Sequence, residues 1–98
     1  MRAVIVGYGS MGREVERVLA ERGHTVAARV DAAPGRGDAP VLKPEVAAGA
    51  DVAIEFSTAD AVIGNARLYA SFGLNAVVGT TGFSEADIDE FFGDEQLW

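Results

Sequence analysis

Gly7, Gly9 and Gly12 frame Tyr8, Ser10 and Met11, and a carboxylate, Asp31, follows 19 residues after the last glycine. Each glycine has its own task in a turn that cradles phosphate. Gly7 permits a tight exit from a strand. Gly9, without a Cβ, lets the backbone approach a pyrophosphate, and Gly12 lets the next helix pack close to a sheet. The free N–H groups and positive dipole end of that helix attract an anion. Asp31 stands where an acid accepts hydrogen bonds from a ribose. The plainer alternative is a structural turn with incidental glycines. The framing by strand, helix, second strand and acid favours a dinucleotide, and an acid at Asp31 favours NADH over NADPH. Arg36, five residues on in a Gly-rich loop, and Arg29 just before are the cations that would let a 2′-phosphate in, Arg36 the better placed.

A second cluster, Val77-Val78-Gly79-Thr80-Thr81-Gly82-Phe83, falls at the C-terminal end of an expected strand, the edge of an open α/β sheet where ligands bind. Its hydroxyls and amides suit a carboxamide or a carboxylate, and equally an ordinary loop capping the next helix. Other tempting groups are weaker. His24, the single histidine, follows a helix-ending glycine with no titratable companion, so a surface or dipole-partner role is expected. The acids Glu85, Asp87, Asp89, Glu90, Asp94 and Glu95 have the spacing of a solvated helix face rather than a metal cluster. Glu55 is an acid in a central strand, for which a structural hydrogen bond is the expected role and the cleft the alternative. No catalytic group and no metal ligand is assigned.

The elements that must hold these residues follow from periodicity. Arg2 to Val6 (R-A-V-I-V) is a strand apolar on both faces. From Met11 to Arg22, Met11, Val15, Val18 and Leu19 make one apolar stripe of a helix that Gly23 ends in the left-handed conformation. Thr25 to Val30 is the second strand. Asp31 to Pro44 holds three prolines and two glycines, so the second crossover shrinks to a loop around a short strand at Val41-Leu42. Val52 to Phe56 is a strong strand. Ser57, Thr58 or Asp60 caps a helix reaching about Phe72, with Val62, Ala66, Leu68, Tyr69 and Phe72 inward, Gly64 a weak point and Gly73 its end. Asn75 to Val78 is a further strand, and Ser84 caps a last helix burying Ile88, Phe91 and Phe92. This is the first part of a doubly wound parallel α/β sheet, a Rossmann-like dinucleotide-binding domain, with expected spatial order 3-2-1-4-5.

Ninety-eight residues allow one small domain, 1–98, and 49% apolar with 23% charged residues is a globular composition. Eight basic against 15 acidic residues, a formal charge of −7, argue against nucleic-acid or anionic-membrane partners. The absence of cysteine excludes disulfides and thiolate chemistry. With no signal-like N-terminus or membrane-length apolar run, a cytoplasmic location is expected. A sixth strand and a substrate-holding part are missing from the pattern, so the chain is expected to be the front of a longer two-domain protein.

Three segments together, G-x-G-x-M-G-R after the first strand, D-V-A-I-E-F-S-T, and V-V-G-T-T-G-F, resemble the dihydrodipicolinate reductases. The similarity covers essentially the whole chain, and the G-T-T-G-[FW] element is its specific part. The resemblance implies hydride transfer from NAD(P)H to a cyclic imine dicarboxylate in diaminopimelate and lysine biosynthesis, by a protein expected to be a homo-oligomer. It implies that Gly7, Tyr8, Gly9, Ser10, Met11 and Gly12 cradle the pyrophosphate and that Asp31 holds the adenosine ribose. Phe56, Ser57 and Thr58 would run beside the nicotinamide ribose, and Gly79, Thr80 and Thr81 would meet the carboxamide, with Thr81 also near substrate. The catalytic acid and the substrate carboxylate grip would belong to a separate C-terminal domain. Two departures stand out: Ala59 replaces a proline usual in the family, and the acid before Phe56 is Glu55 where the family has Asp. Other readings of the same pattern are a stand-alone nucleotide-sensing module and the cofactor domain of a homoserine or aspartate dehydrogenase.

Overall fold

The computed structural model describes residues 1–79. In chain order these form β1 (Arg2–Val6), α1 (Ser10–Glu21), β2 (Thr25–Val30), α2 (Pro44–Ala47), β3 (Val52–Glu55), α3 (Ala59–Phe72) and β4 (Asn75–Val78). The four strands make one parallel sheet in the order β2-β1-β3-β4. β1 lies inside the sheet because it is apolar on both faces. Val4 and Val6 join Val30, Leu42, Ala53 and Tyr69 in one core cluster, while Ala3 and Ile5 join Leu19 and Val52 in another. α1 covers the second cluster and α3 the first, so helices flank both faces, as the doubly wound reading requires. Fully burying Val4 and Ile5 contributes about 1.5–3 kcal/mol each.

The register sets the site. Val6 pairs with Val30 on one side and Glu55 on the other, and Glu55 pairs with Val78. The residues that follow these rungs, Gly7, Asp31, Phe56 and Gly79, therefore leave the sheet along one edge.

The helix ends follow the sequence closely. Gly23 (φ 79°) and Gly73 (φ 66°) adopt the left-handed backbone that stops α1 and α3. Of the three candidate caps for α3, Thr58 takes the role, its hydroxyl accepting from the Ala61 amide at 3.4 Å. Leu68 and Phe72 are only partly buried, whereas Val62, Ala66 and Tyr69 are buried as expected.

Three expectations need correction. Met11, assigned to the buried stripe of α1, is 56% exposed, because in the first turn it is Gly12, pressed against Gly7 and Ile5, that faces the sheet. Val41-Leu42 forms no strand. The third-strand position beside β2 is held by a single bridge, Val30 to Ala39, after which Pro40, lacking an N–H, gives no further rung. Leu42 still reaches the core, and the shortened crossover contains one helical turn, α2, with Pro44 at its start. β3 ends at Glu55 rather than Phe56, although the Phe56 amide still donates to the Val6 carbonyl at 2.8 Å. The expected helix after Ser84 lies outside the described residues, as do Thr80 and Thr81.

Candidate dinucleotide site

The glycine turn is built by close backbone approaches. Gly7 has φ 92°, and a Cβ there would lie 2.6 Å from the Phe56 carbonyl carbon and oxygen, so β1 and β3 exit against each other with no room for a side chain. A Cβ on Gly12 would overlap the Gly7 carbonyl oxygen and come within 3.2 Å of Ile5 Cγ2, so α1 is pressed onto the turn. Gly9 differs: a Cβ there would meet nothing within 4 Å. It is the N-cap of α1, and no side chain caps that helix. The first-turn N–H groups of a 12-residue helix thus open onto the side where Gly9 leaves space.

Asp31 is brought to this turn. Its Oδ2 accepts from the Tyr8 amide at 2.8 Å and its Oδ1 from the Ala33 amide at 2.8 Å. The acid therefore ties the glycine turn to the end of β2, a bracing role that its spacing alone does not reveal. Arg36 Nη1 lies 3.9 Å from Asp31 Oδ2 on a half-exposed side chain. Arg29 is committed elsewhere: it is paired with Glu16 and, at 3.2 Å, with Asp38. The Arg29 hydrogen bond is the main cause holding the Glu16 carboxyl below its ordinary range, against the opposing effect of burial. The Tyr8 hydroxyl donates to Glu16, and its ring has the Arg13 and Arg29 guanidinium carbons 5.5 and 5.8 Å from its centroid.

On the β3 side, Phe56, Ser57 and Thr58 form the turn into α3. The Phe56 backbone abuts Gly7, and a Cβ on Gly79 would strike the Phe56 ring. The Gly79 amide donates to the Glu55 carbonyl at 2.8 Å. Phe56 thus sits between Gly7 and Gly79. Glu55 is fully buried, and its carboxylate accepts from the Tyr69 hydroxyl at 2.6 Å, the Asn65 amide at 2.8 Å and the Ser57 hydroxyl. Burial, and then the Glu55 carboxylate, push the Tyr69 phenol well above its ordinary value, so it stays protonated and donates. Asn65 escaped the sequence reading. Its signal was the i, i+4 spacing with Tyr69 on one helix, opposite an acid in an apolar strand.

The remaining candidates lie apart. His24 Nδ1 is 3.2 Å from the Met1 amine, beside the start of β2 and so at the other end of the sheet from the glycine turn. A groove of about 350 Å³ lined by Pro44, Ala47, Gly49, Ala50, Phe72 and Leu74 also lies at that far end, where β3 and β4 begin. Among the described residues no group of three or more acids or histidines is placed to hold a metal, and no helix is long and apolar enough to cross a membrane.

A parallel sheet flanked by helices, with an uncapped helix start after a glycine turn and an acid at the end of the second strand, defines the Rossmann-like dinucleotide-binding class. The solved structures similar to the chain agree. The UDP-N-acetylglucosamine 3-dehydrogenase GnnA from Acidithiobacillus ferrooxidans superposes with TM-score 0.79 at 17% identity, over 98% of this chain and 34% of that one. The protein RSP, solved in complex with β-NADH, gives TM-score 0.57 at 14% identity, over 99% of this chain and 63% of that one. Within that class the sequence is decisive. The family model for the dihydrodipicolinate reductase N-terminus matches residues 1–92, and the chain belongs to that family. The 4-hydroxy-tetrahydrodipicolinate reductase of Cutibacterium acnes is 39% identical over 84 residues, covering 85% of this chain and 31% of its own length. The chain thus spans about a third of that relative.

Proposed function

We propose that residues 1–98 form the NAD(P)H-binding domain of a 4-hydroxy-tetrahydrodipicolinate reductase, acting within a two-domain, homo-oligomeric, cytoplasmic enzyme. The observation that carries the reading is the union of the glycine turn with Asp31, at the uncapped start of α1, in a chain of this family. The turn and helix start fit a pyrophosphate: Gly9 leaves space, and Ser10, Met11 and Gly12 lie on the first helical turn. Each oxygen of the Asp31 carboxylate accepts from one backbone amide and retains a lone pair for a ribose hydroxyl. Phe56, Ser57, Thr58 and Gly79 would border the nicotinamide half, with Thr80 and Thr81 beyond them in sequence.

A reduced nicotinamide held there would supply hydride for a cyclic imine dicarboxylate. The chain's own residues bind and orient the donor. An acidic domain gives little attraction to a dicarboxylate, so the cations that grip substrate, and the proton donor, belong to the second domain. NADH is the preferred cofactor because Asp31 opposes a 2′-phosphate, and NADPH is accepted because Arg36 lies within reach of that position while Arg29 does not turn from Glu16.

The test is an assay of the complete protein with NADH and the cyclic imine dicarboxylate, following loss of NADH absorbance. Substrate-dependent oxidation is expected. Tight NADH binding without turnover would favour a nucleotide-sensing module, and turnover only with homoserine- or aspartate-type substrates would move the chain to another dehydrogenase.

A further inference from the structure

We infer that Glu55 is a positioning residue for the nicotinamide end of the cofactor site, because it ties the turn between β3 and α3 to Gly79 at the end of β4. This rests on the chain being an NAD(P)H-binding domain. The last residue of β3 acts through both of its halves. Its backbone carbonyl accepts from Gly79, the first residue of the second glycine cluster, at 2.8 Å. Its carboxylate accepts from Ser57, in the turn between β3 and α3. The same carboxylate is held from behind by Asn65 and Tyr69, one helical turn apart on α3. Phe56, between Glu55 and Ser57, fills the gap between Gly7 and Gly79 and meets both backbones closely.

Burying a carboxyl group is costly unless its hydrogen-bonding capacity is met, and Glu55 is fully buried where an apolar residue would suit the strand better. What the acid provides is acceptor capacity for three donors arriving from two directions. No neutral side chain of similar size offers that. Pinning Ser57 toward α3 leaves the Phe56–Thr58 backbone in one arrangement relative to Gly79. Asp31, in the adenosine half of the site, instead takes its hydrogen bonds from the Tyr8 and Ala33 amides. The two halves of a dinucleotide should therefore feel Glu55 differently.

The experiment compares NADH with ADP-ribose, which keeps the adenosine and pyrophosphate but lacks nicotinamide, by titration calorimetry on the complete protein. In Glu55→Gln the amide converts one acceptor into a donor, and NADH binding is expected to weaken about three- to tenfold while ADP-ribose changes by less than about twofold. Tyr69→Phe removes one donor behind the carboxylate and leaves the acid in place. It is expected to shift NADH in the same direction by a smaller factor, and it carries the comparison should Glu55→Gln not fold. Equal weakening of both ligands, or none of either, would overturn the inference. A wild-type protein that binds ADP-ribose but gains nothing from the nicotinamide overturns it too. One that binds neither ligand instead removes the cofactor reading on which it stands.

Discussion

On the proposed function Asp31 has two duties on one carboxylate, and the balance between them decides what its loss does. It braces the Tyr8 amide, so Asp31→Ala should loosen the glycine turn and weaken NADH; it also stands against a 2′-phosphate, so NADPH should be hurt less. The expected result is a wild type that prefers NADH modestly and a variant whose preference moves toward NADPH, read as the ratio of kcat/KM values on the complete enzyme. Arg36→Ala should act oppositely, lowering kcat/KM for NADPH by about two- to fivefold, the range of an exposed ion pair, with little effect on NADH. Tyr69 supplies a pH prediction. Its phenol is held protonated in the folded protein, above the ordinary value of 10.0, so the stability it contributes is complete below pH 10 and is lost as pH rises further. Denaturant midpoints should therefore fall as pH rises above 10.0, and Tyr69→Phe should flatten that fall. At this scale the sequence made the glycines and Asp31 legible, since each is set by local geometry. It did not reveal that Asp31 accepts from Tyr8, or that Asn65 completes the Glu55 network. The first depends on the register of β2 against β1, and the second on how α3 lies over β3.

Strands and helices with strong periodicity were readable because each satisfies its burial locally. β1, β2 and β4 have the boundaries expected from the sequence, and the glycine stops of α1 and α3 lie where left-handed backbone was expected. Failure came where tertiary contact outweighed pattern. Val41-Leu42 reads as a strand from its side chains, yet Pro40 and Pro44 deny the segment its ladder, and only Leu42 is buried. Met11 has the spacing of a core residue, but in the first turn of α1 Gly12 takes the place against the sheet and Met11 is exposed. Two glycines give opposite predictions at this scale. Gly64 sits inside α3 with open space where a Cβ would go, so Gly64→Ala should stabilise by about 0.5–1 kcal/mol. Gly12 is wedged against the Gly7 carbonyl, so Gly12→Ala should destabilise by about 1–3 kcal/mol and displace α1 from the turn. Thermal denaturation of both variants checks the pair.

Across the whole molecule, two ends of one sheet contrast. The ends of β1, β2, β3 and β4 carry the glycine turn, Asp31, Ser57 and Gly79, whereas the starts of β3 and β4 carry a groove of alanine, glycine, proline, phenylalanine and leucine with no charged lining residue. A nucleotide belongs at the first, where helix-start amides and an acid meet. Residues 1–98 alone should bind NADH weakly, with a dissociation constant of tens of micromolar or worse, and should turn nothing over, because burying a nicotinamide takes a closed cleft with a second wall. The most direct test of the account is an amide proton–nitrogen NMR titration of the protein with NADH. Saturable shifts are predicted at Tyr8, Gly9, Ser10, Met11 and Gly12 and from Asp31 to Arg36, with the amides of Ala47, Gly49, Phe72 and Leu74 unmoved. Shifts confined to that far groove, or none at millimolar NADH, would contradict the assignment of this chain as a dinucleotide-binding domain.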